Sequence, residues 1–466
     1  MGIDVRKISL WDTLRLQLLV VVPAFLWGLV APNRFFVPYL SRWNAGRCTM
    51  RFLSDLRHKY RCDHLWTWFP SWAWFLFERT LLVLNQKSMD AVLRYDENAA
   101  DPTLKKRALS RFVPDALVIS SGAEWSGRRR FNESVLDFPQ PHRHRDAFRD
   151  IAFREVAQLT AGRAGALRWA DFEALGQRIS HQVLLGSGQI KPEMAMQLAH
   201  LVRRSNWLFL PTHRRYFLAF YEQIERYLAR HRAFYRASHR GPHANDEPVP
   251  TSCLMHESAV LLEQGSATSS TEVPRQIGFW FFVLKDIVEL HVARTLALIA
   301  AHSEVQDRVR QEIRKSPSLT AQDIHGFRYL DACIGEQLRL WTPIPILLRR
   351  AVKPFSLLGE IPMEAEQQIL MHTGFYHRDS RVFGEVADKF SPGSVTNAFP
   401  PVYYFSAHVR SCVGEFLARF LLKAALVALL AESRFELVAP RIRPGQIPYL
   451  YDHFKIELRA LSDAIA

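Results

Sequence analysis

The chain has 466 residues, 48% hydrophobic and 12% aromatic, enough to bury a sizeable core, and it carries no fixed-period repeat or low-complexity tract, which excludes solenoids, propellers and a mostly disordered chain. Its formal net charge of +14 suits an acidic redox protein or an anionic lipid surface. The basic residues are scattered, and no zinc-finger spacing or aromatic strand-binding pattern accompanies them, so no nucleic-acid partner is expected.

Residues 1–40 form a hydrophobic N-terminal segment. No charged residue stands between Arg15 and Arg34, and the apolar heart is Leu18–Ala31, interrupted by Pro23 and Gly28. It reads either as a helix buried in or docked on a soluble domain, or as a membrane anchor. A monotopic anchor fits better than a full span, and no small-residue cleavage site marks a signal peptide. Residues 41–466 read as one α-rich domain.

Thr80–Gln86 predicts a strand ending in a turn, followed by a helix through Met89–Leu93. Residues 123–136 predict a helix, and residues 144–240 a succession of amphipathic helices rich in Arg and His. Polar connectors follow at Arg240–Ser252 and Gly265–Pro274. From Arg275 to about His302 the chain is apolar on most sides, as a buried central helix requires. A further helix, Phe327–Trp341, is stopped by Pro343 and Pro345. Short strands are expected over 346–376 and irregular chain over 390–412. A last helix is expected from near Cys412 to about Leu430. The fold class is mainly α with a minor β component.

Five cysteines, Cys48, Cys62, Cys253, Cys333 and Cys412, include no Cys-x-x-Cys pair. That argues against a disulfide framework and a structural zinc site, and favours a reducing, cytoplasmic compartment. Cys412 stands directly before the last helix. Such a thiol is either a small buried hydrophobe or, under the positive end of a helix with Arg410 two residues away, a thiolate. A thiolate so placed can serve as an axial ligand to heme iron.

The stretch Phe405–Gly414, FSAHVRSCVG, resembles the heme-binding loop of the cytochromes P450, with Phe405, Arg410, Cys412 and Gly414 matching. A second resemblance is GEQLRLWTPIP from Gly335, where Glu336 and Arg339 share one helix face and look like the family's buried pair. Trp125 and Arg129 resemble the family's Trp-x-x-x-Arg contact to a heme propionate. Position adds Arg349 and Arg410 to those contacts, with Arg128 and Arg350 as register-shifted alternatives.

The resemblance implies a P450-type fold with a long central helix over heme b (iron protoporphyrin IX), Cys412 as the iron ligand, and a monooxygenase acting on a hydrophobic small molecule. Electrons would come from a separate acidic redox partner: a ferredoxin, a flavodoxin or a reductase. Apolar residues at Trp207–Phe209 and Phe279–Phe282 suit either a hydrophobic pocket or simple core.

Several positions depart from the pattern. His408 stands where the family has Gly, and Ser394 where it has Arg; Arg378, Arg381 or His377 are candidates to replace that Arg. In the central helix, Val283, Leu284, Lys285, Asp286 and Ile287 occupy the oxygen-activation register. The acid is retained as Asp286, but Ile287 replaces the alcohol and has no donor or acceptor. Asp286 is therefore the expected catalytic residue, delivering protons with ordered water. Two alternatives stay open: chemistry without dioxygen (an isomerase or peroxide user), or a non-catalytic heme- or ligand-binding protein of this fold.

Overall fold

A computed structural model describes residues 3–461 except 29, 71–76, 95–98, 101–105, 107, 163–164, 187–191, 208–212, 241–248 and 395–398. Phe209, most of the Arg240–Ser252 connector and Val395 lie outside the described residues. The chain forms two compact units that it threads alternately. One comprises Met1–Ala108, Gly335–Cys412 and Ile442–Phe454; the other comprises Leu109–Ile334, Val413–Arg441 and Lys455–Ala466.

The first unit is built on a six-stranded sheet. Its order is Arg6–Lys7, His64–Pro70, Phe77–Val83, Gln368–Met371, Leu347–Ala351 and Ala99–Ala100. His64–Pro70 and Phe77–Val83 pair antiparallel, and Phe77–Val83 pairs parallel with Gln368–Met371. The expected strand at Thr80 and helix at Met89 are both present, the helix as Gln86–Arg94. Its Met89, Val92 and Leu93 join Leu81, Ile369, Tyr376 and Tyr403 in one core cluster.

A second cluster in this unit holds Ile8, Leu16 and Val20 against Phe52, Leu53 and Leu56 of the helix Ala45–Tyr60. The N-terminal helix begins at Leu10, eight residues before its apolar heart. Ser9 caps it there by accepting from the Asp12 amide. It continues through a π turn at Gln17–Val21 and ends at Trp27, before Gly28 at φ 122°. Asp12 is buried and held by Lys59 at 2.6 Å and the Tyr60 hydroxyl at 2.7 Å.

The second unit is helical. Gly122–Leu136, Arg145–Thr160, Trp169–Leu185, Pro192–Ser205 and Arg214–Arg240 realise the expected amphipathic series. Leu254–Glu263 follows, then the central helix. That helix is continuous in three parts: Val273–Asp286, a π turn at Ile287–His291, and Val292–Ala300. The last helix is Glu415–Glu432, starting three residues after Cys412 rather than at it, with Gly414 at its N-cap. A three-stranded sheet, Arg434–Ala439, Glu457–Leu461 and Leu167–Arg168, completes the unit.

Candidate functional site

The helix Arg328–Leu340 carries Glu336 and Arg339 one turn apart, and both are buried. The guanidinium binds the carboxylate in a fork, at 2.6 and 2.9 Å. Its remaining donors go to the carbonyls of His377, Ala387, Val386 and Lys389, at 2.7–3.1 Å. One side chain thus ties four points of the chain leading toward Cys412. A buried pair so fully bonded is costly to break, about 3–5 kcal/mol when one partner is removed.

None of the three candidates to replace the expected Arg at Ser394 bonds Glu336. The backbone N–H of Ser391 donates to the carboxylate instead, at 3.2 Å. Arg378 is buried and braces the end of the same helix. Its guanidinium donates to Leu340 O, Ile447 O, Pro448 O and the Asp388 carboxylate, at 2.9–3.1 Å. Burial pushes it down to about 10. Arg381 pairs with Asp63 and Asp379. His377 accepts the Tyr403 N–H at its Nε2, at 2.8 Å, and burial pushes it down to about 3.

The loop Tyr403–Cys412 closes on itself: the Cys412 N–H donates to Phe405 O at 2.9 Å and the Ser411 N–H to His408 O at 3.0 Å. His408 takes φ 55°, the left-handed conformation that Gly would adopt freely there, and Ser406 takes φ 59°. Cys412, Arg410 and Phe405 are all half-buried.

Arg349 and its register alternative Arg350 lie on opposite faces of one strand. Arg350 is committed to Glu78 at 2.7 Å and Glu366 at 2.8 Å. Arg349 is buried, with one guanidinium nitrogen on Leu348 O. In the other unit, Trp125 and Arg129 sit one turn apart on Gly122–Leu136. Arg129 there binds Glu133 at 2.6 Å, while Arg128 is fastened to Ser120, Ser270 O, Asp115 and Glu124.

Asp286 ends the first part of the central helix, immediately before the π turn. Such turns reposition side chains and recur at functional sites. Burial raises its carboxyl above the usual range, opposed by the Lys285 charge and a hydrogen bond with Glu289. The residue keeps some accessible surface, yet burial remains the largest influence on its carboxyl. Glu289 is buried and also raised by burial, with Lys285 Nζ 2.7 Å from it.

This acid pair was legible only in part. Lys285, Asp286 and Glu289 have helical i, i+3 and i, i+4 spacing, but the fold decides which face is buried. A Cβ on Gly176 would come within 2.8 Å of Glu289, so the facing helix Trp169–Leu185 packs its backbone directly against the π turn.

The family model described as Cytochrome P450 matches residues 291–447. Over this segment, about a third of its length, the chain is similar to the cytochromes P450. The matched segment holds Glu336, Arg339, Arg349, Phe405, Arg410, Cys412 and Gly414; Trp125, Arg129 and Asp286 lie before it. Probable cytochrome P450 4d20 of Drosophila melanogaster is 25% identical over 374 residues, 69% of this chain and 72% of that protein. Cytochrome P450 4c3 of the same organism is 28% identical over 38% of this chain and 35% of its own length. Probable cytochrome P450 6u1, also from Drosophila melanogaster, is 32% identical over 39% of each chain. Apart from 4d20, the chain spans roughly a third to two-fifths of the length of these P450 relatives.

Similarity to the cytochromes P450 implies heme, and the chemistry of the loop and strand residues of the first unit fits it: the half-buried Cys412 thiol, the Arg349 and Arg410 guanidinium groups and the Phe405 ring. The buried Ser406 hydroxyl has no hydrogen-bond partner among the described residues.

Proposed function

We propose that this P450-family chain is a heme-thiolate oxidoreductase. In this reading it is a monooxygenase that hydroxylates a hydrophobic small molecule with electrons from a separate redox protein. The observation that carries the reading is the closed Phe405–Cys412 loop, together with the buried Glu336–Arg339 fork in the same unit.

Cys412 would ligate the iron of heme b, while Arg349 and Arg410 would bind propionate carboxylates; Gly414 leaves the chain beside the sulfur without a side chain. Trp125 and Arg129 would take the propionate role that the family resemblance implies. When bound, the heme supplies the redox chemistry that amino-acid side chains lack. Asp286 would hold and release a proton, its carboxyl raised by burial toward neutrality. The apolar Val283 and Ile287, both incompletely buried on an otherwise core helix, favour an apolar substrate. The net charge of +14 favours an acidic electron donor.

The lost alcohol at Ile287 supports a second reading, chemistry driven by peroxide or without net oxidation. Turnover of apolar compounds under isotopically labelled dioxygen separates the two. Label in the product, with reductant consumed in equal amount, is the expected result. Product formed from peroxide alone, or without dioxygen uptake, would replace monooxygenation with the second reading.

Membrane attachment, if present, would be in-plane. Leu10–Trp27 has the length and hydropathy of a span, but Asp12, Leu16 and Val20 fasten one face to the first unit. The other face exposes Leu10 (81%), Trp11 (65%), Leu14, Leu18 and Val22. The neighbouring helix Phe36–Arg42 continues this with exposed Phe35, Tyr39 and Trp43 beside exposed Arg34, Arg42 and Arg47. Apolar rows flanked by aromatic and basic residues suit the interface of an anionic bilayer. Sedimentation with anionic vesicles is expected to fall for Trp11→Ser/Leu14→Ser. Unchanged sedimentation would remove this attachment.

A further inference from the structure

We infer that Asp90 is a positioning residue for the Cys412 loop, acting as a strap that holds His408 in its left-handed conformation. The inference rests on the reading of Cys412 as the iron ligand. Two exceptions in this loop, separated by the extended Ala407, need support. Ser406 and His408 both have positive φ, and neither is Gly. Conformations of this kind persist only where surrounding contacts over-determine them.

The contacts converge on one atom. Asp90 Oδ1 accepts from the Tyr403 hydroxyl at 2.9 Å and lies 3.3 Å from His408 Nε2. A carboxylate has no proton to give, so His408 must donate from Nε2. Tyr403 and His408 bracket Ser406, so the same oxygen gathers the chain on both sides of it. Tyr403 is fixed from its backbone as well, through its N–H on His377 Nε2. Asp90 stands on the helix Gln86–Arg94, whose Met89, Val92 and Leu93 are buried in the core of the same unit. That helix also packs directly against the turn His408–Arg410.

His408 then has a role that Gly could not fill. Gly would adopt the same φ without strain, but it would leave the loop free to adopt others. His accepts the strain and gains a tether to a rigid helix. From His408 the turn leads through Ser411 to Cys412, whose own N–H is already fixed on Phe405 O. The strap therefore sets where the sulfur is presented.

The test uses full-length protein loaded with hemin, comparing the parent with Asp90→Ala, Asp90→Asn, His408→Gly and His408→Asn. Two readouts are taken: amide exchange over residues 404–412, and the share of the reduced CO-difference band that is red-shifted by thiolate. Asp90→Ala and His408→Gly are expected to speed exchange about tenfold, as loss of a hydrogen bond to a charged group implies. Both should also convert part of the red-shifted band to the unshifted form. Asp90→Asn keeps an acceptor and should fall between them and the parent, which guards against a variant that merely misfolds. His408→Asn tolerates the backbone but cannot reach Asp90, and should resemble His408→Gly. Parental exchange and an unaltered band in Asp90→Ala and His408→Gly would overturn the inference. A parent with no red-shifted band, yet faster exchange in the variants, would keep the strap and remove the thiolate reading instead.

Discussion

The loop at Cys412 and the π turn at Asp286 depart from the P450 pattern in opposite ways. At the loop the substituted residues are absorbed by new bonds. Ser391 N–H takes the open position on Glu336, and His408 reaches Asp90. At the central helix Ile287 brings no hydroxyl, and the π turn holds a buried acid, Glu289, paired with Lys285. Holding a cofactor depends on a rigid frame that many residues can build. Proton delivery depends on one group with the right proton affinity at the right atom.

The largest effect should come from breaking the frame behind the loop. Glu336→Ala strands a buried guanidinium and is expected to cost about 3–5 kcal/mol in urea unfolding. A loss under about 1 kcal/mol would mean that the loop is held by other contacts. On the other side of the comparison, Asp286→Asn should leave stability nearly intact and lower coupled turnover about a hundredfold, with peroxide released in place of product. Unchanged coupling would end its role as proton donor.

Much of this frame was legible from the sequence. Glu336 and Arg339 three apart on an apolar helix needed only local spacing, while Phe405, Arg410, Cys412 and Gly414 in order were carried by the resemblance to the cytochromes P450. The strand at Thr80 and the helices from Gly122 to Arg240 followed from periodicity. Asp90 gave no signal, because 318 residues separate it from His408. Arg378, Arg381 and His377 all leave Glu336 to a backbone N–H of Ser391, a kind of donor that sequence patterns of side chains do not reveal. The π turn likewise leaves no mark in the apolar pattern of 275–302, where Glu289 shows only its i, i+4 spacing from Lys285.

Acidification should separate the two regions further. His372 and His377 are buried neutral near the loop, pushed down to about 4 and about 3. The unfolded chain binds protons at these groups below about 6.5 while the folded chain does not. Stability is therefore lost as pH falls from about 6.5 toward 4, by about 1.4 kcal/mol per pH unit for each group. Urea midpoints between pH 7 and 5 measure this, and a flat profile would contradict it. The acids at the π turn run the other way. Their raised folded values favour the protonated form, so their contribution is fully present at low pH and fades as pH rises above the ordinary carboxylate range. Glu289→Gln imitates the protonated acid. It should change stability by no more than about 1 kcal/mol at pH 6 and flatten that decline at higher pH. An unchanged slope would mean that Glu289 does not carry the proton.

The central claim is that the sulfur of Cys412 holds an iron porphyrin. The measurement that tests it most directly is the reduced CO-difference spectrum of purified, hemin-loaded protein beside Cys412→Ala. A red-shifted Soret band is expected in the parent and should disappear in the variant. A parent without that band, or a variant that keeps it, would rule out Cys412 as the iron ligand.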